Sequence, residues 1–222
     1  MRNRYVLEIS KTGYIKYISH LDMMRLFKRL FKKAGIRLEY SQGFNPHPKM
    51  SFAQPLPLGY SSSCETLEFE LKENSEPNVI LNRINSVAPL GITAIKCEKL
   101  DAETKSFAAR LCAASYEICI PVKHELLFNA NAVCDNFLNR DTITAEKINK
   151  KSGSMKTIDI SGMIRSVSAE LIDNKIIMNT TLDAGGTSNL SPELLITAFI
   201  SFAGIEVERD EIDVKRVGMS FK

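Results

Sequence analysis

The stretch SHLDMMRLFKRLFKKAG, residues 19–35, separates into two faces when it is wound as a helix. At about 100° per residue the apolar side chains fall on one arc, and the Lys and Arg side chains fall on the opposite arc. Ser19 is the expected N-cap with Asp22 as its capping-box partner, and Gly35 ends the helix. The sequence therefore predicts an amphipathic helix with a cationic outer face, made of Arg25, Lys28, Arg29, Lys32 and Lys33.

Segments on both sides of this helix read as strands and decide the fold class. Residues 5–10 alternate before the helix, and the run from Glu65 to Leu71 alternates after it. With a second helix over 78–87 and a strand over 92–100, the order is β-α-β-β-α-β, which is typical of a ferredoxin-like unit. We expect the two helices to cover one face of an antiparallel sheet and the other face to be free for ligands. The remaining strand predictions in this half are 14–18, 37–40 and 50–53.

A similar order of elements recurs after the charged segment 101–110. Ser191 as N-cap and Pro192 at the first helical position mark the start of the last helix. We therefore predict an α+β protein of two ferredoxin-like halves with antiparallel sheets: a basic N-terminal domain over 1–106 and a C-terminal domain over 107–222. The segment 150–170 fits either a long hairpin loop or an inserted strand. The predicted strands of this half are 115–122, 142–149, 176–182 and 205–217, and its helices are 125–138 and 192–203.

Positive charge is concentrated near the start of the chain. Residues 1–58 hold eleven Lys and Arg against three Asp and Glu, although the formal net charge of all 222 residues is only +3. Such an asymmetric distribution is typical of proteins that bind polyanions. Aromatic residues in the same region can stack on bases or pack as half-buried strand residues: Tyr5, Tyr14, Tyr17, Tyr40 and Phe44. Lys150, Lys151 and Lys156 offer a second basic loop, for which a plain surface hairpin is the better interpretation.

Several classes of function have no support in the sequence. The five cysteines are scattered without a C-x-x-C pair, and the three histidines are not clustered, so we expect reduced thiols and no metal site. No phosphate-binding glycine motif occurs, so no cofactor is predicted. The absence of a long apolar stretch or an apolar leader predicts a cytoplasmic protein without a membrane partner.

The segment GFNPHPKM, residues 43–50, holds a histidine between two prolines. Pro46 and Pro48 fix φ on either side of His47 and restrict the residues before them, so the imidazole is held in a rigid loop. An ordinary surface turn explains the same pattern equally well. The site hypothesis names Gly43, Phe44, Asn45, His47 and Lys49 here, together with the cationic helix face.

Three short motifs together resemble the bacterial radical-SAM-linked protein family, a domain of unknown function found alone or attached to radical SAM proteins. They are Ser19-His20-Leu21-Asp22, Gly43-Phe44-Asn45-Pro46-His47-Pro48 and Pro55-Leu56-Pro57-Leu58-Gly59. The resemblance implies an accessory role beside a radical SAM partner, because this chain lacks the three-cysteine cluster motif of such enzymes. A looser likeness, in fold only, is to CRISPR repeat-processing endoribonucleases.

Three functions remain open from the sequence. The first is an RNA-binding or substrate-presenting accessory module that works with a radical SAM or RNA-processing partner and is not itself an enzyme. The second is a metal-free endoribonuclease or RNA-modifying enzyme with His20 and His47 as general acid and base. The third is a protein-interaction scaffold whose basic face meets an acidic partner.

Overall fold

The computed structural model describes residues 2–101, 103–122, 130–148 and 153–222. The chain divides into an N-terminal unit, Met1–Leu111 with Phe221–Lys222, and a C-terminal unit, Cys112–Ser220. Both units combine helices with antiparallel strand pairs, so the predicted α+β class is confirmed. Two independent domains with a boundary after residue 106 stay a prediction.

The N-terminal unit has the predicted succession of main elements. In its sheet the strand order is β4-β1-β3-β2, and each neighbouring pair is antiparallel. A short helix, α3, follows the last strand of this succession. The elements are β1 (Asn3–Lys11), α1 (His20–Lys33), β2 (Met50–Phe52), β3 (Ser61–Leu71), α2 (Pro77–Asn85), β4 (Ile92–Leu100) and α3 (Phe107–Arg110).

One face of this sheet and the two longer helices enclose the core. Alternate residues of β1, Tyr5, Leu7 and Ile9, are completely buried because successive strand side chains point to opposite faces. Phe27 and Phe31 of α1 pack against the same face, as the apolar arc of the helix predicts. Tyr5 is therefore a core residue, and its hydroxyl donates to Ser75 O at 2.9 Å. It is not available to stack on a base.

The opposite face of the sheet is partly covered, so the prediction that it is free for ligands is wrong in this respect. Arg4 Nη1 donates to Thr104 O at 2.7 Å, and Phe107 N donates to a Glu68 carboxylate oxygen at 3.1 Å. The ring of Phe107 lies 4.9 Å from that of Phe221, edge to face. Buried Arg4 needs hydrogen-bond acceptors, and the segment 101–110 supplies two of them, the carbonyl oxygens of Asp101 and Thr104.

Two strand predictions in the N-terminal unit are wrong. Residues Gly13–Tyr17 form a 3₁₀ helix, which begins at a positive φ of 60° that Gly13 accommodates without a Cβ clash. The segment 37–40 makes only isolated bridges, between Leu38 and Leu71 and between Tyr40 and Pro48. The first segment is therefore helical, and the second makes two single bridges and no continuous strand ladder.

The C-terminal unit contains a main sheet of order β10-β5-β9-β8 and a separate two-stranded sheet, β6-β7. The pairs β5-β9, β8-β9 and β6-β7 are antiparallel. The predicted helix 125–138 corresponds to α4. Residues 123–129 lie outside the described part of the chain. The elements are β5 (Leu111–Pro121), α4 (Ala130–Leu138), β6 (Thr144–Ile148), β7 (Met155–Asp159), β8 (Ile164–Ile172), β9 (Lys175–Asp183), α5 (Pro192–Ala203) and β10 (Asp213–Phe221).

The segment between α4 and β9 differs from the prediction. Residues 142–149 were expected in the main sheet, but β6 pairs with β7 instead, and β8 takes that place beside β9. Asp173 and Asn174 both have positive φ, which makes the tight turn that joins β8 to β9. The final strand begins only at Asp213, after a 3₁₀ turn over Arg209–Glu211.

Of the three lysines predicted to form a basic loop, Lys156 belongs to β7. Lys147 stands directly opposite Lys156 in the β6-β7 pair, and both side chains are exposed. Lys150 and Lys151 lie outside the described residues. Nowhere among the described residues is a helix both long and apolar enough to cross a membrane.

Candidate functional site

The N-terminus of α1 is held by the capping contacts that its sequence suggests. Ser19 Oγ accepts from Asp22 N at 3.2 Å and donates to Asp22 Oδ2 at 2.7 Å. Asp22 Oδ1 also accepts from Arg25 Nη1 at 2.8 Å. These hydrogen bonds from Ser19 and Arg25 lower the pKa of the Asp22 carboxyl. The positive charge of Arg25 is thus partly neutralised within the first turn.

The remaining cations of α1 have no such partner. Lys28, Arg29, Lys32 and Lys33 are exposed, and none of them forms an ion pair with any described residue. Protein surfaces usually mix the two signs of charge, which screens each side chain from its neighbours. This helix face therefore presents a row of cations over more than one turn that form no ion pair with a described residue, although Arg29 acts through space on the Asp22 carboxylate.

A groove borders the C-terminal half of α1. It has a volume of about 480 Å³, and Lys28, Lys32, Arg37 and Lys72 surround it. Lys28 Nζ lies 5.8 Å from the centroid of the Tyr40 ring, in a cation–π contact. We call this the basic groove; its other lining residues are Phe31, Gly35, Ile36 and Leu38.

The segment 36–40 forms the second wall of the basic groove, alongside the end of β3. Glu39 N donates to Glu70 O at 2.8 Å, and Lys72 N donates to Arg37 O at 3.0 Å. These two bonds set Arg37 and Lys72 side by side across from the helix. The sequence analysis did not identify either residue, because neither lies in a motif and only the folded chain places them next to α1.

A second cavity, of about 360 Å³, adjoins the basic groove. The two cavities share Gly35, Ile36 and Arg37 as a common wall. Polar groups line the second cavity, among them Asn74, Ser75 and Arg83. Arg37 is 77% exposed and lies 3.5 Å from the equally exposed Glu73, a contact that solvent screens strongly.

The His47 loop is rigid and closed on itself. His47 N donates to Ser41 Oγ at 3.1 Å, and Ser41 N donates to His47 O at 2.9 Å. The imidazole Nδ1 lies 3.2 Å from both Ser41 Oγ and Asn45 O. Gly43 has a φ of 134°, which a residue with a Cβ rarely adopts. The loop thus holds its shape with few contacts outside itself.

The same loop presents its predicted binding residues to solvent. Phe44 is fully exposed, and Asn45, Pro46 and His47 are exposed beside it. The bridge between Tyr40 and Pro48 connects the base of the loop to the wall of the basic groove. The structure therefore brings the loop next to the groove through Tyr40.

Lys49 does not join the cationic helix face. Its Nζ donates to Glu70 Oε2 at 3.0 Å. Because Met50 and its partner Phe69 belong to the helix-side core, their neighbours Lys49 and Glu70 point to the opposite face of the sheet. The structure separates this predicted phosphate contact from α1.

His20 lies in a small cavity under the N-terminal end of α1. Lys11, Glu65 and His20 line this cavity together with Met23, Phe52 and Leu56. Lys11 and Glu65 are almost completely buried, and Lys11 Nζ donates to Ile18 O at 3.1 Å. We call Lys11, Glu65 and His20 the buried charged cluster. Two of the three sequence motifs contribute to its surroundings, His20 from the first and Leu56 from the third.

Burial governs the protonation of this cluster. Desolvation lowers the pKa of Lys11 and of His20, while the Glu65 carboxylate raises both. The His20 ring also packs edge-on against Phe52, with centroids 5.7 Å apart. Sequence analysis missed Lys11 and Glu65; the only signal was an ionisable residue on the apolar side of each alternating strand.

The two histidines proposed as an acid–base pair are not joined. No hydrogen bond or ring contact links His20 to His47 within the described residues, since His20 faces Glu65 and Phe52 and His47 bonds to Ser41. General acid–base catalysis needs both groups within hydrogen-bonding reach of one substrate. The arrangement gives no direct support to that pairing.

All five cysteines are free, and two of them are held as thiols by burial. Cys134 is buried and the others are half-buried, with no disulfide among them. Burial raises the pKa of Cys97 to about 12 and that of Cys134 to about 11, so both are protonated thiols at neutral pH. In the described part of the chain, no group of three or more His, Cys, Asp and Glu is placed to hold a metal ion.

The chain belongs to a family described as uncharacterized proteins conserved in bacteria (DUF2344), whose sequence pattern matches residues 4–192. No curated protein matches the chain. The motifs that suggested a bacterial domain of unknown function thus led to a bacterial family without an assigned activity.

Comparison with solved structures finds similarity to chains of two complexes. A chain of a Cbf5-Nop10-Gar1 complex superposes with a TM-score of 0.52 at 9% identity, covering 97% of this chain and 48% of that chain. A chain of an archaeal box H/ACA sRNP Nop10-Cbf5 complex gives 0.48 at 12% identity, covering 96% and 46%. The chain spans about half the length of these structures, and at such identities the first of them indicates a shared fold alone.

Proposed function

We propose that this protein is an RNA-binding or substrate-presenting accessory module that binds RNA through the cationic face of α1 and the basic groove. The observation that carries this proposal is the row of exposed, unpaired cations from Lys28 to Lys33, continued across the groove by Lys72. Each cation of such a surface gains free energy by neutralising a phosphate and releasing its condensed counterion. Without a polyanionic ligand, the neighbouring cations of α1 only repel one another.

The His47 loop supplies the contacts that a purely electrostatic surface lacks. Phe44 offers both ring faces to a base, and stacking on an aromatic side chain is worth about 1–3 kcal/mol per base. Asn45 and His47 carry donors and acceptors for base edges beside it. Because the loop is already held by its bonds to Ser41, little conformational entropy is lost when a ligand binds.

The partner and the architecture complete the proposal. The three motifs resemble radical-SAM-linked proteins, so a cytoplasmic radical SAM or RNA-processing enzyme is the proposed partner. The strand orders β4-β1-β3-β2 and β10-β5-β9-β8 support two ferredoxin-like halves, the second carrying the β6-β7 hairpin as an insertion. The similarity to a chain of the Cbf5-Nop10-Gar1 complex concerns the fold alone and does not identify a ligand.

The salt dependence of RNA binding tests the proposal. We expect Lys28→Ala, Arg29→Ala and Lys32→Ala together to lower the slope of log K against log[salt] by about two to three, because each phosphate contact contributes about 0.7–0.9. Arg25 is left in place because Asp22 already neutralises it in part. Fluorescence anisotropy with a labelled RNA oligonucleotide at several salt concentrations measures both slopes.

A variant of equal charge is the control. Lys96→Ala, Lys105→Ala and Lys175→Ala remove the same net charge from exposed positions that line neither the basic groove nor the adjoining cavity. This control is expected to keep most of the wild-type slope. Absence of RNA binding, or equal loss in both triple variants, contradicts the proposed site; absence of binding favours the scaffold that meets an acidic protein.

Incubation with total cellular RNA in chelator separates binding from the alternative endoribonuclease. We expect the RNA to stay intact on both sides of about pH 6.5, where imidazole titrates, because His20 and His47 do not share a site. Cleavage that His20→Ala or His47→Ala abolishes contradicts the accessory role and supports the enzyme.

A further inference from the structure

We infer that the basic groove accepts an unpaired RNA strand, with one nucleotide in the groove and the next in the adjoining cavity. This inference rests on the proposed RNA-binding function and assigns its ligand a class, single-stranded as opposed to duplex RNA. Arg37 and Lys72, which no motif contains, line the groove and do not belong to the open face of α1, so only a strand that enters the groove reaches them.

The lining of the basic groove matches a whole nucleotide better than a phosphate. Its rim carries Lys28, Lys32, Arg37 and Lys72, which suit a phosphate, but its lining also includes the half-buried ring of Tyr40 and the small exposed fractions of Ile36 and Leu38. Phosphate gains nothing from an apolar wall, whereas an unstacked base does. The volume of about 480 Å³ lies in the range of small-molecule sites.

A duplex cannot use such a lining. Its bases are stacked and paired inside the helix, and only phosphates and groove edges reach a protein surface. A duplex on this unit would touch Arg29 and Lys33 of the open helix face but would leave Tyr40 and the floor of the groove without contact. Charge alone therefore predicts binding of both forms, and the shape of the groove predicts a preference for the unpaired form.

The second cavity extends the path of the strand. Arg37 borders both cavities and is mostly exposed, so it lies where the phosphate between two successive nucleotides would pass. Arg83 offers a second cation in the adjoining cavity, which Glu73, Asn74 and Ser75 also line. Asn74 Oδ1 already accepts from Tyr5 and Lys99, so the amide NH₂ of Asn74 is its group that can donate to a base edge. Phe44, whose ring is exposed, belongs to the loop that the bridge between Tyr40 and Pro48 closes.

Two pairs of charge-matched variants test this assignment. Arg37→Ala with Lys72→Ala removes two cations from the groove, and Arg29→Ala with Lys33→Ala removes two from the open face of α1. Affinity is measured by anisotropy at fixed salt for a single-stranded oligonucleotide and for a hairpin duplex of the same length. The wild-type protein is expected to prefer the single strand by about tenfold or more, which corresponds to one base contact of about 1–3 kcal/mol.

The two variants are expected to differ in what they lose. The groove variant loses most of the single-strand preference, whereas the helix-face variant weakens single strand and duplex by the same factor, since phosphate contacts act regardless of strand form. Tyr40→Leu is expected to lower single-strand affinity about fivefold or more and to leave duplex affinity unchanged, while Tyr40→Phe keeps the wild-type affinity. Thermal unfolding of each variant verifies that it is folded.

Failure of this inference is distinguishable from failure of the proposed function. Equal wild-type affinity for duplex and single strand, or a groove variant that behaves like the helix-face variant, overturns the single-strand assignment and leaves RNA binding in place. Absence of binding to either oligonucleotide overturns both.

Discussion

The two ends of α1 treat charge in opposite ways. At the N-terminal end, Lys11 and Glu65 are buried together beneath His20, and opposite charges within the protein compensate each other. At the C-terminal end, Lys28 and Lys32 border an open groove and have no carboxylate partner among the described residues. One helix thus separates charges that belong to the stability of the fold from charges that are available to a ligand.

Solvent explains why the two groups are expected to respond differently to mutation. A buried charge has lost its hydration, so removing its partner leaves a penalty that nothing else offsets. An exposed charge keeps its hydration, and its removal costs the fold little. Substitutions at the two ends of α1 are therefore expected to change the free energy of unfolding by different amounts.

The largest effect is expected from Glu65→Gln, which leaves Lys11 buried without its negative neighbour. The free energy of unfolding should fall by about 3 kcal/mol, as when one partner of a buried pair is removed. Urea denaturation measures this loss. Glu70→Gln is the control, because Glu70 pairs with the more exposed Lys49, and it should cost about 1 kcal/mol or less. Equal losses in the two variants would remove the distinction between the ends of the helix.

A smaller effect is expected from acid. Burial lowers the pKa of His20 below its usual value of 6.5, so near that pH the unfolded chain binds a proton that the folded chain does not. The stabilisation that comes from keeping His20 neutral in the folded state is therefore fully present above about pH 6.5. The free energy of unfolding decreases as the pH falls below 6.5. His20→Gln should flatten this part of the stability profile.

Imidazole titration followed by NMR locates the cause. Because Glu65 raises the pKa of His20, Glu65→Gln should lower the titration midpoint further, while Glu70→Gln should leave it unchanged. A wild-type midpoint above 6.5 would show that attraction to Glu65 outweighs burial and that the cluster is more hydrated than its exposure indicates.

The smallest effect on stability is expected from His47→Ala. His47 is exposed and its bonds stay within its own loop, so the free energy of unfolding should change by no more than about 0.5 kcal/mol. RNA affinity is expected to fall in the same variant, measured by anisotropy. A loss of more than about 2 kcal/mol would instead assign His47 to the support of the fold.

Local sequence patterns predicted most helices and strands of the N-terminal half. The separation of apolar and basic side chains predicted α1, and alternation predicted the strand from Ile92 to Leu100, because both depend on residues close in sequence. The helix Pro192–Ala203 was predicted with its exact bounds from its cap and proline. For residues 150–170 both a hairpin loop and an inserted strand stayed open, since sequence alone does not tell which of β6, β7 and β8 joins the main sheet.

The candidate site was only partly accessible to sequence analysis. The cationic residues of α1 and the exposed loop residues follow from local patterns. Arg37, Lys72, Lys11 and Glu65 do not, because their neighbours come from distant parts of the chain. The position of Lys49 on the opposite face of the sheet depends on the register of β2 with β3, which sequence alone does not determine.

The contacts of Phe221 and Lys222 place a limit on when the N-terminal unit can finish folding. Lys222 N donates to Arg110 O at 2.8 Å, and Phe221 packs against Phe107 over a cavity that Val6 and Thr66 also line. These two residues leave the ribosome after all of Cys112–Ser220, an interval of roughly 5–20 s at synthesis rates of about 5–20 residues per second. During that time the sheet face beside Phe107 lacks its last aromatic cover. A nascent chain of this protein is therefore most open to aggregation, and to capture by chaperones, at that face.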